Sequence, residues 1–333
     1  MVNSAVVRSL LARCGLLLIA VAAGVPVHAQ SDPIAGWPNR PIKLILPTAA
    51  GGAGDIVSRL VTQKLGERLG QQFVIENRPG GNGIIGSAAI ANAAPDGYTI
   101  GLVTASTHAA APAIGQNIPF DAIKDFAPIS LMGNLPIVLA VHPGLPIKNL
   151  AEFVALAKTR PREINNAWGA AMPYLAALLF CKEAGIELNH IPYKGSGQAA
   201  VDLIEGRIQA QFGTVSPILA LIKDGKLRAL AVTSSQRTAA LPDVPTVAEV
   251  LLPGFGSSLW LALAAPAGTP ERIIRRLNEE MAAILKDPAM QKAFADRGVD
   301  PEFGPPEQLA ERIREDIEKF RGVVAQTGAR PEL

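Results

Sequence analysis

Cysteine, histidine, aromatic residues and net charge are all scarce in this chain of 333 residues, and each scarcity excludes something. Only Cys14 and Cys181 occur, and Cys14 lies in a segment that export would remove. Cys181 is then alone, so no intramolecular disulfide can form. It follows Leu178 by three residues on a helical stripe, which reads as a small buried hydrophobe rather than a reactive thiol. His108, His142 and His190 lie far apart, without Cys or His neighbours at ligand spacing, and a metal site is not expected. The first 29 residues carry two arginines and no acid, which leaves 29 basic against 29 acidic side chains. A balanced charge without a basic run argues against nucleic acid as a partner. There is no G-x-S-x-G elbow, no H-E-x-x-H and no cysteine beside a histidine, so neither catalysis nor a cofactor is expected.

The N-terminus has the pattern of a signal peptide. Arg8 and Arg13 precede the apolar run Leu16 to Ala23, and Val27-His28-Ala29 forms a small-x-small cleavage site before Gln30. That run is far shorter than the ~20 apolar residues that span a bilayer. The expected product is a free periplasmic protein, monomeric, with enough chain for two lobes with cores of their own.

The rest of the chain alternates strand and helix patterns. Apolar runs at Ile42 to Leu46, Phe73 to Glu76, Tyr98 to Val103 and Pro128 to Leu131 read as strands, and Pro136 to Val141 as a crossover. The first is followed by a helix with Ile56, Leu60, Val61, Leu65 and Leu69 on one stripe, stopped by Gly70. The same grammar restarts after Asn149, with strands near Ile164 to Ala167, His190 to Tyr193, Gln209 to Thr214, Leu227 to Thr233 and Leu259 to Ala265. Two terminal helices carry Ile273, Ile274, Leu277, Met281 and Ile284, then Leu309, Ile313, Ile317, Phe320 and Val324. Such alternation predicts an α/β fold of two lobes, each a mostly parallel sheet flanked by helices, with two interlobe crossovers. A ligand would lie between the lobes at the carboxyl ends of the strands.

Three motifs bear on chemistry. Gly81-Asn82-Gly83-Ile84-Ile85-Gly86 matches G-x-G-x-x-G, but Arg78-Pro79-Gly80 separates it from its strand and no acid follows at ribose distance. It reads as a tight turn feeding a helix. The loop Pro47 to Asp55 joins a buried strand to a helix N-terminus through Thr48, Ala49, Ala50, Gly51 and Gly52. It is either an ordinary strand–helix turn or an anion site built of amides, with Asp55 capping the helix. Thr104, Ser106, Thr107 and His108 cluster after another strand, where capping or ligand hydrogen bonding is favoured over catalysis.

With these residues in view, the chain resembles the Bug-type solute receptors of tripartite tricarboxylate transporters along nearly its whole mature length. The likeness is carried by Pro41-Ile42-Lys43-Leu44-Ile45-Leu46-Pro47 leading into Gly51-Gly52-Ala53-Gly54-Asp55-Ile56-Val57. Glu76-Asn77-Arg78-Pro79-Gly80, Ala94-Pro95-Asp96-Gly97-Tyr98-Thr99 and Asp125-Phe126-Ala127-Pro128-Ile129-Ser130 continue it. So do Pro192-Tyr193-Lys194-Gly195-Ser196, Gly225 to Thr233 and Leu241 to Thr246. The resemblance implies a type II periplasmic binding fold that closes over its ligand, with lobes at 30–134 plus 256–333 and at 135–255. It implies a carboxylate gripped by Thr48 to Asp55, with Thr104 to His108 at the same cleft, and delivery to membrane permease subunits. A receptor serving a sensor kinase would share these features, and a secreted enzyme on small organic acids is the remote alternative.

Two segments depart from the family pattern. A Gly-Ser-rich loop ending in His-Leu is replaced by Trp168 to Leu175, so polar positions become Ala171, Met172 and Tyr174. An acid common after the third strand of the second lobe is Gly213, beside Thr214. With Tyr193, these residues are expected to line an apolar, aromatic wall suited to an aromatic or hydrophobic carboxylate, the alternative being that Trp168, Met172 and Tyr174 pack inside the lobe.

Overall fold

A computed structural model describes residues 36–193 and 195–328, so the signal at 1–29 lies outside the described residues. The described residues from Pro38 onward form one compact unit built on two sheets. The first contains β1 (Ile42–Leu46), β2 (Phe73–Asn77), β3 (Thr99–Thr104), β4 (Phe126–Leu135), β10 (Leu259–Pro266) and the two-residue β11 (Asp300–Pro301). Its order is β11-β4-β10-β3-β1-β2. The second contains β5 (Ile137–Val141), β6 (Asn165–Trp168), β7 (Asn189–Pro192), β8 (Ala210–Thr214) and β9 (Arg228–Val232), in the order β7-β6-β8-β5-β9.

Each sheet is mixed rather than mostly parallel. β1 to β3 run parallel, as do β6 to β8, where helices connect successive strands. The strands that carry the chain between lobes run the other way: β10 is antiparallel to β3 and β4, and β5 is antiparallel to β8 and β9. A strand that enters a lobe from the crossover must start where the parallel strands end, which fixes its direction.

Helices cover the sheets: α1 (Ala53–Leu69), α2 (Ile84–Ala91), α3 (Leu150–Thr159), α4 (Ala171–Ala184), α5 (Ser196–Ile204), α6 (Leu219–Lys223), α7 (Val247–Val250), α8 (Glu271–Leu285), α9 (Pro288–Ala295) and α10 (Pro306–Thr327). α1 ends at Gly70 and α4 at Gly185, each in the left-handed conformation that glycine adopts at little cost. The buried face of α1 is Val57, Val61 and Leu65, while Ile56 is exposed, so the stripe is rotated from the one expected. The cause is Asp55, which is itself buried and anchored toward the sheet. α10 turns Leu309, Ile313, Ile317 and Phe320 inward against β4, the turn after β3 and α4, and so spans both lobes. Cys181 is buried, and burial pushes its thiol up to about 12, consistent with a packing role.

The glycines of the G-x-G-x-x-G run serve geometry. Asn82 and Gly83 sit at φ of 55° and 94°, and a Cβ on Gly86 would lie 2.7 Å from Pro47 Cα. α2 can therefore lie directly on the β1–α1 loop. Gly101 of β3 works the same way, since a Cβ there would sit 2.0 Å from Ile90 Cδ1.

The two crossovers, Leu135 to Ile137 and the return into β10, are tied together at Thr233. Its N–H donates to Ile137 O at 2.8 Å, and its O accepts from Ser257 N–H at 2.8 Å. Its hydroxyl reaches Ser257 O at 2.6 Å, with Ile137 O 3.2 Å away. The residue is fully buried. Thr233→Val keeps the shape and leaves buried carbonyls short of a donor, so it should lower stability by about 1–3 kcal/mol. Urea unfolding should show a lower midpoint with an unchanged slope.

Candidate functional site

The carboxyl ends of both sets of parallel strands come to the crossovers. Thr104, the last residue of β3, pairs with Leu261 near the start of β10. Thr214, the last of β8, pairs with Ile137, the first of β5, and Val215 N–H donates to Pro136 O at 2.9 Å. The loops that follow β1, β3, β6 and β8 therefore flank one crevice.

On the first-lobe side, Thr48 to Gly52 form an open loop held from below. Asp55 accepts from Gly51 N–H at 3.0 Å, from Arg59 through two bonds of 3.0 and 2.9 Å, and from Asn77 Nδ2 at 2.9 Å. Asn77 Nδ2 also donates to Thr48 O at 3.1 Å. Arg59, with Gly51 N–H and Asn77, holds the Asp55 carboxyl down at about 2. All the carboxylate's capacity goes into shaping the loop, so Asp55 positions the amides and offers an anion nothing itself. Ala49, Ala50, Gly51 and Gly52 remain exposed, and the buried Thr48 hydroxyl has no protein partner.

Beside this loop the chain turns through a π-helical segment, Ser106–Ala110. Thr104 and Thr107 exchange N–H···Oγ1 bonds of 3.3 Å, and Thr107 Oγ1 lies 2.8 Å from His108 Nδ1. Thr107 also abuts Gly83, where a Cβ would come within 2.7 Å of its Cγ2. Ser106 stays partly open to solvent. His108 points the opposite way, stacked on Phe120 at 5.6 Å and edge-on to Phe126 at 4.4 Å. Its place inside the lobe removes it from direct contact with a ligand at the strand ends. Burial lowers its pKa to about 3.

On the second-lobe side, the loops after β6, β7 and β8 touch. A Cβ on Gly169 would lie 2.4 Å from Gly195 C, and Thr214 N–H donates to Ser196 Oγ at 3.2 Å. Trp168 stacks on Tyr174 with centroids 4.5 Å apart, and Tyr174 meets His190 edge-on at 5.4 Å. Trp168 is 6% exposed, and its Nε1–H is buried without a protein partner. Asn166 bridges His190 Nδ1 and Phe212 N–H at 3.1 and 3.0 Å. Burial holds the His190 pKa at about 4.

Two expected wall residues belong to the interior instead. Met172 is fully buried in the same cluster as Leu175, and Ala171 is buried beside it, because the first turn of α4 already faces the core. The Tyr193 hydroxyl turns away to Asp202 Oδ2 at 2.7 Å, and burial with this acceptor pushes it up to about 12. Gly213 is hemmed in: a Cβ would lie 2.5 Å from Gln211 Nε2 and 2.9 Å from Ser196 Oγ. Gln211 in turn donates to Ser196 O at 2.8 Å. Sequence reasoning passed over Asn77, Ser196 and Gln211. Asn77 stands inside the quoted Glu76-to-Gly80 motif, which was the available signal.

The helices that start at this crevice lack side-chain caps. α1, α4 and α5 follow Gly52, Ala170 and Gly195; α3, α7 and α9 are capped by Asn149, Thr246 and Asp287, and α2, α6, α8 and α10 have no side-chain cap either. Uncapped amides with the positive end of the helix dipole suit an anion.

Comparison with known proteins places the chain among receptors of one family. A family model described as the tripartite tricarboxylate transporter family receptor matches residues 57–329. Protein BugT of Bordetella pertussis is 38% identical over 324 residues, covering 96% of this chain and 98% of BugT. A solved R. palustris protein with adipate is 32% identical with a TM-score of 0.78, covering 88% of this chain and 98% of that one. MatC from Rhodopseudomonas palustris with bound malate is 31% identical with a TM-score of 0.74, covering 86% and 100%.

The buried histidines make stability sensitive to acid. The unfolded chain takes up protons on His108 and His190 below about 6.5, while the fold resists until about 3 and 4. Stability is therefore complete above 6.5 and falls as pH drops toward 4, by up to about 2 kcal/mol for His108 at pH 5. Urea unfolding at pH 7.5 and 5.0 should show this loss, and His108→Phe should remove about half of it.

Proposed function

The chain belongs to the tripartite tricarboxylate transporter receptor family, and on that premise we propose that it is a periplasmic receptor that captures a small dicarboxylate. The observation that carries the reading is the pairing of uncapped helix N-termini and orphan donors on both sides of the crossovers. On the first-lobe side these are the amides of α1 and the Thr48 hydroxyl. On the second-lobe side they are the amides of α4 and α5 and the Trp168 indole N–H. One carboxylate end can be held by each set. Arg59 is committed to Asp55 and Asn77, so amides and hydroxyls, rather than a cation, carry the recognition.

Adipate and malate in the relatives bracket the chemistry. The Trp168–Tyr174 pair favours a ligand with an apolar or aromatic body over a hydroxylated one, because a buried hydroxyl without a partner costs about 1–3 kcal/mol. Lobes at 30–134 plus 256–333 and at 135–255 would turn about the crossovers joined by Thr233. Export through residues 1–29 puts the receptor in the periplasm, where it would hand its ligand to permease subunits.

The test is a thermal-shift panel on protein unfolded and refolded to strip carried ligand: adipate, malate, citrate, benzoate and benzene dicarboxylates. A ligand at 100 times its Kd adds about 2.7 kcal/mol of stability, an easily read rise in Tm. Adipate or an aromatic dicarboxylate should give the largest rise. Thr48→Val, which deletes a donor and keeps the shape, and Trp168→Phe, which deletes a donor together with part of the ring that stacks on Tyr174, should each weaken binding by about threefold to tenfold. Unchanged affinity in both variants, or no rise with any carboxylate, would sink the reading.

A further inference from the structure

We propose that the first-lobe segment Arg297–Asp300 is a brace across the hinge, which holds the two lobes at a set angle and thereby governs how fast a ligand leaves the crevice. Its effect on release rests on the crevice being the ligand site; its effect on the angle does not.

The segment is placed to act on the hinge. β5 begins at the crossover with β8 on one side and β9 on the other, where Ile137 pairs with Thr214 and Val138 with Val232. Arg297–Asp300 leads from α9 into β11, and it touches the second lobe on both of those sides. Past β8, Ser216 Oγ donates to Arg297 O at 2.6 Å. Past β9, Asp300 Oδ1 accepts from Thr238 Oγ1 at 3.0 Å and from Ala239 N–H at 3.2 Å. Its base is fixed to the strand that enters the crossover, because Asp300 pairs with Asn134 and Pro301 with Gly133. The Asn134 side-chain amide also donates to Glu302.

Two glycines let it lie this close. A Cβ on Gly298, which sits at φ of 68°, would be 3.1 Å from Ser216 Cα. A Cβ on Gly133 would be 2.9 Å from Asp300 O and 3.0 Å from Val299 Cγ1. Val299, between the two anchor points, is fully buried, and so is Thr238.

The consequence is mechanical. A hinge works when a few residues between rigid bodies change their φ and ψ. Here those residues, Leu135 to Ile137, are flanked by a strap that is anchored to both bodies. Turning the lobes therefore pulls on the bonds at Ser216, at Asp300, or at both. Thr233 joins one crossover to the other, whereas this segment joins lobe to lobe on either side of them. Its cross-lobe hydrogen bonds are few, and each contributes modestly to stability, so the brace slows opening without forbidding it.

The experiment uses the full mature chain with spin labels at Gln63→Cys and Lys158→Cys, one on each lobe and both exposed. Cys181 is buried and stays unlabelled. Without ligand, the distribution of distances between the labels should broaden in the variant carrying Ser216→Ala and Asp300→Ala. Asp300→Asn keeps an acceptor oxygen and should match the parent, which a role for the charge alone would not allow. Dissociation of adipate and of malate should quicken in the double variant by about threefold to tenfold, by the same factor for both. Should that variant fail to fold, Ser216→Ala alone carries the test, since it removes one partly exposed hydroxyl. An unchanged distance distribution overturns the brace. So does dissociation that quickens for one acid and not the other, because the effect would then lie in the crevice wall. If neither acid binds, the crevice reading fails by itself, and the distance distributions still decide the brace.

Discussion

The position at which the chain changes lobes governs everything else in this molecule. Thr233 bonds to Ile137 and Ser257, so one buried residue holds both crossovers side by side. Because the crossover strands begin there, they run against the parallel strands of each sheet, and the carboxyl ends of those strands all arrive at the same line. A crevice at this line needs no dedicated scaffold. It follows from strand direction and from the short path between β4 and β5.

Within that crevice, the loops present dipoles rather than formal charge. Asp55 and Arg59 neutralise one another under the β1–α1 loop, with Asn77 joining them to the Thr48 carbonyl. Their joint effect is to hold the exposed loop Ala49 to Gly52 in a fixed shape, with the Gly51 N–H spent on Asp55. A preorganised loop of this kind loses little freedom when a ligand arrives, and it attracts carboxylates without fixing a lone cation in the site. The second lobe reaches the same end by close backbone contact at Gly169 and Gly195, where any side chain would force the loops apart.

Much of the fold was legible from periodicity. Every strand expected from an apolar run is present within a few residues, and the helix stops at Gly70 and Gly185 follow from glycine's access to positive φ. β11 was not legible, since two residues paired to Asn134 and Gly133 leave no pattern. The stripe on α1 was misjudged because a buried carboxylate, invisible to a hydrophobic pattern, sets the helix rotation. At the site, the loop positions were legible and the side-chain directions were not. Met172 and Tyr193 turn inward, and His108 faces away from the crevice, because each is placed by neighbours distant in sequence. Asn77, Ser196 and Gln211 were missed for the same reason: their roles come from the partners they meet across loops.

Gly213 carries an implication for how this receptor diverged. The family resemblance leads to an acid at that point, yet here Gln211 Nε2 and Ser196 Oγ already occupy the space that even a methyl group would need. Gln211 is in turn anchored to the Ser196 carbonyl, and the Ser196 hydroxyl accepts from Thr214 N–H. An acid could return only after the glutamine had shrunk or moved, and moving it leaves the Ser196 carbonyl without its donor. The order of substitutions therefore matters. A side chain at position 213 and the glutamine at position 211 thus exclude one another as they stand, and a change at one calls for a change at the other.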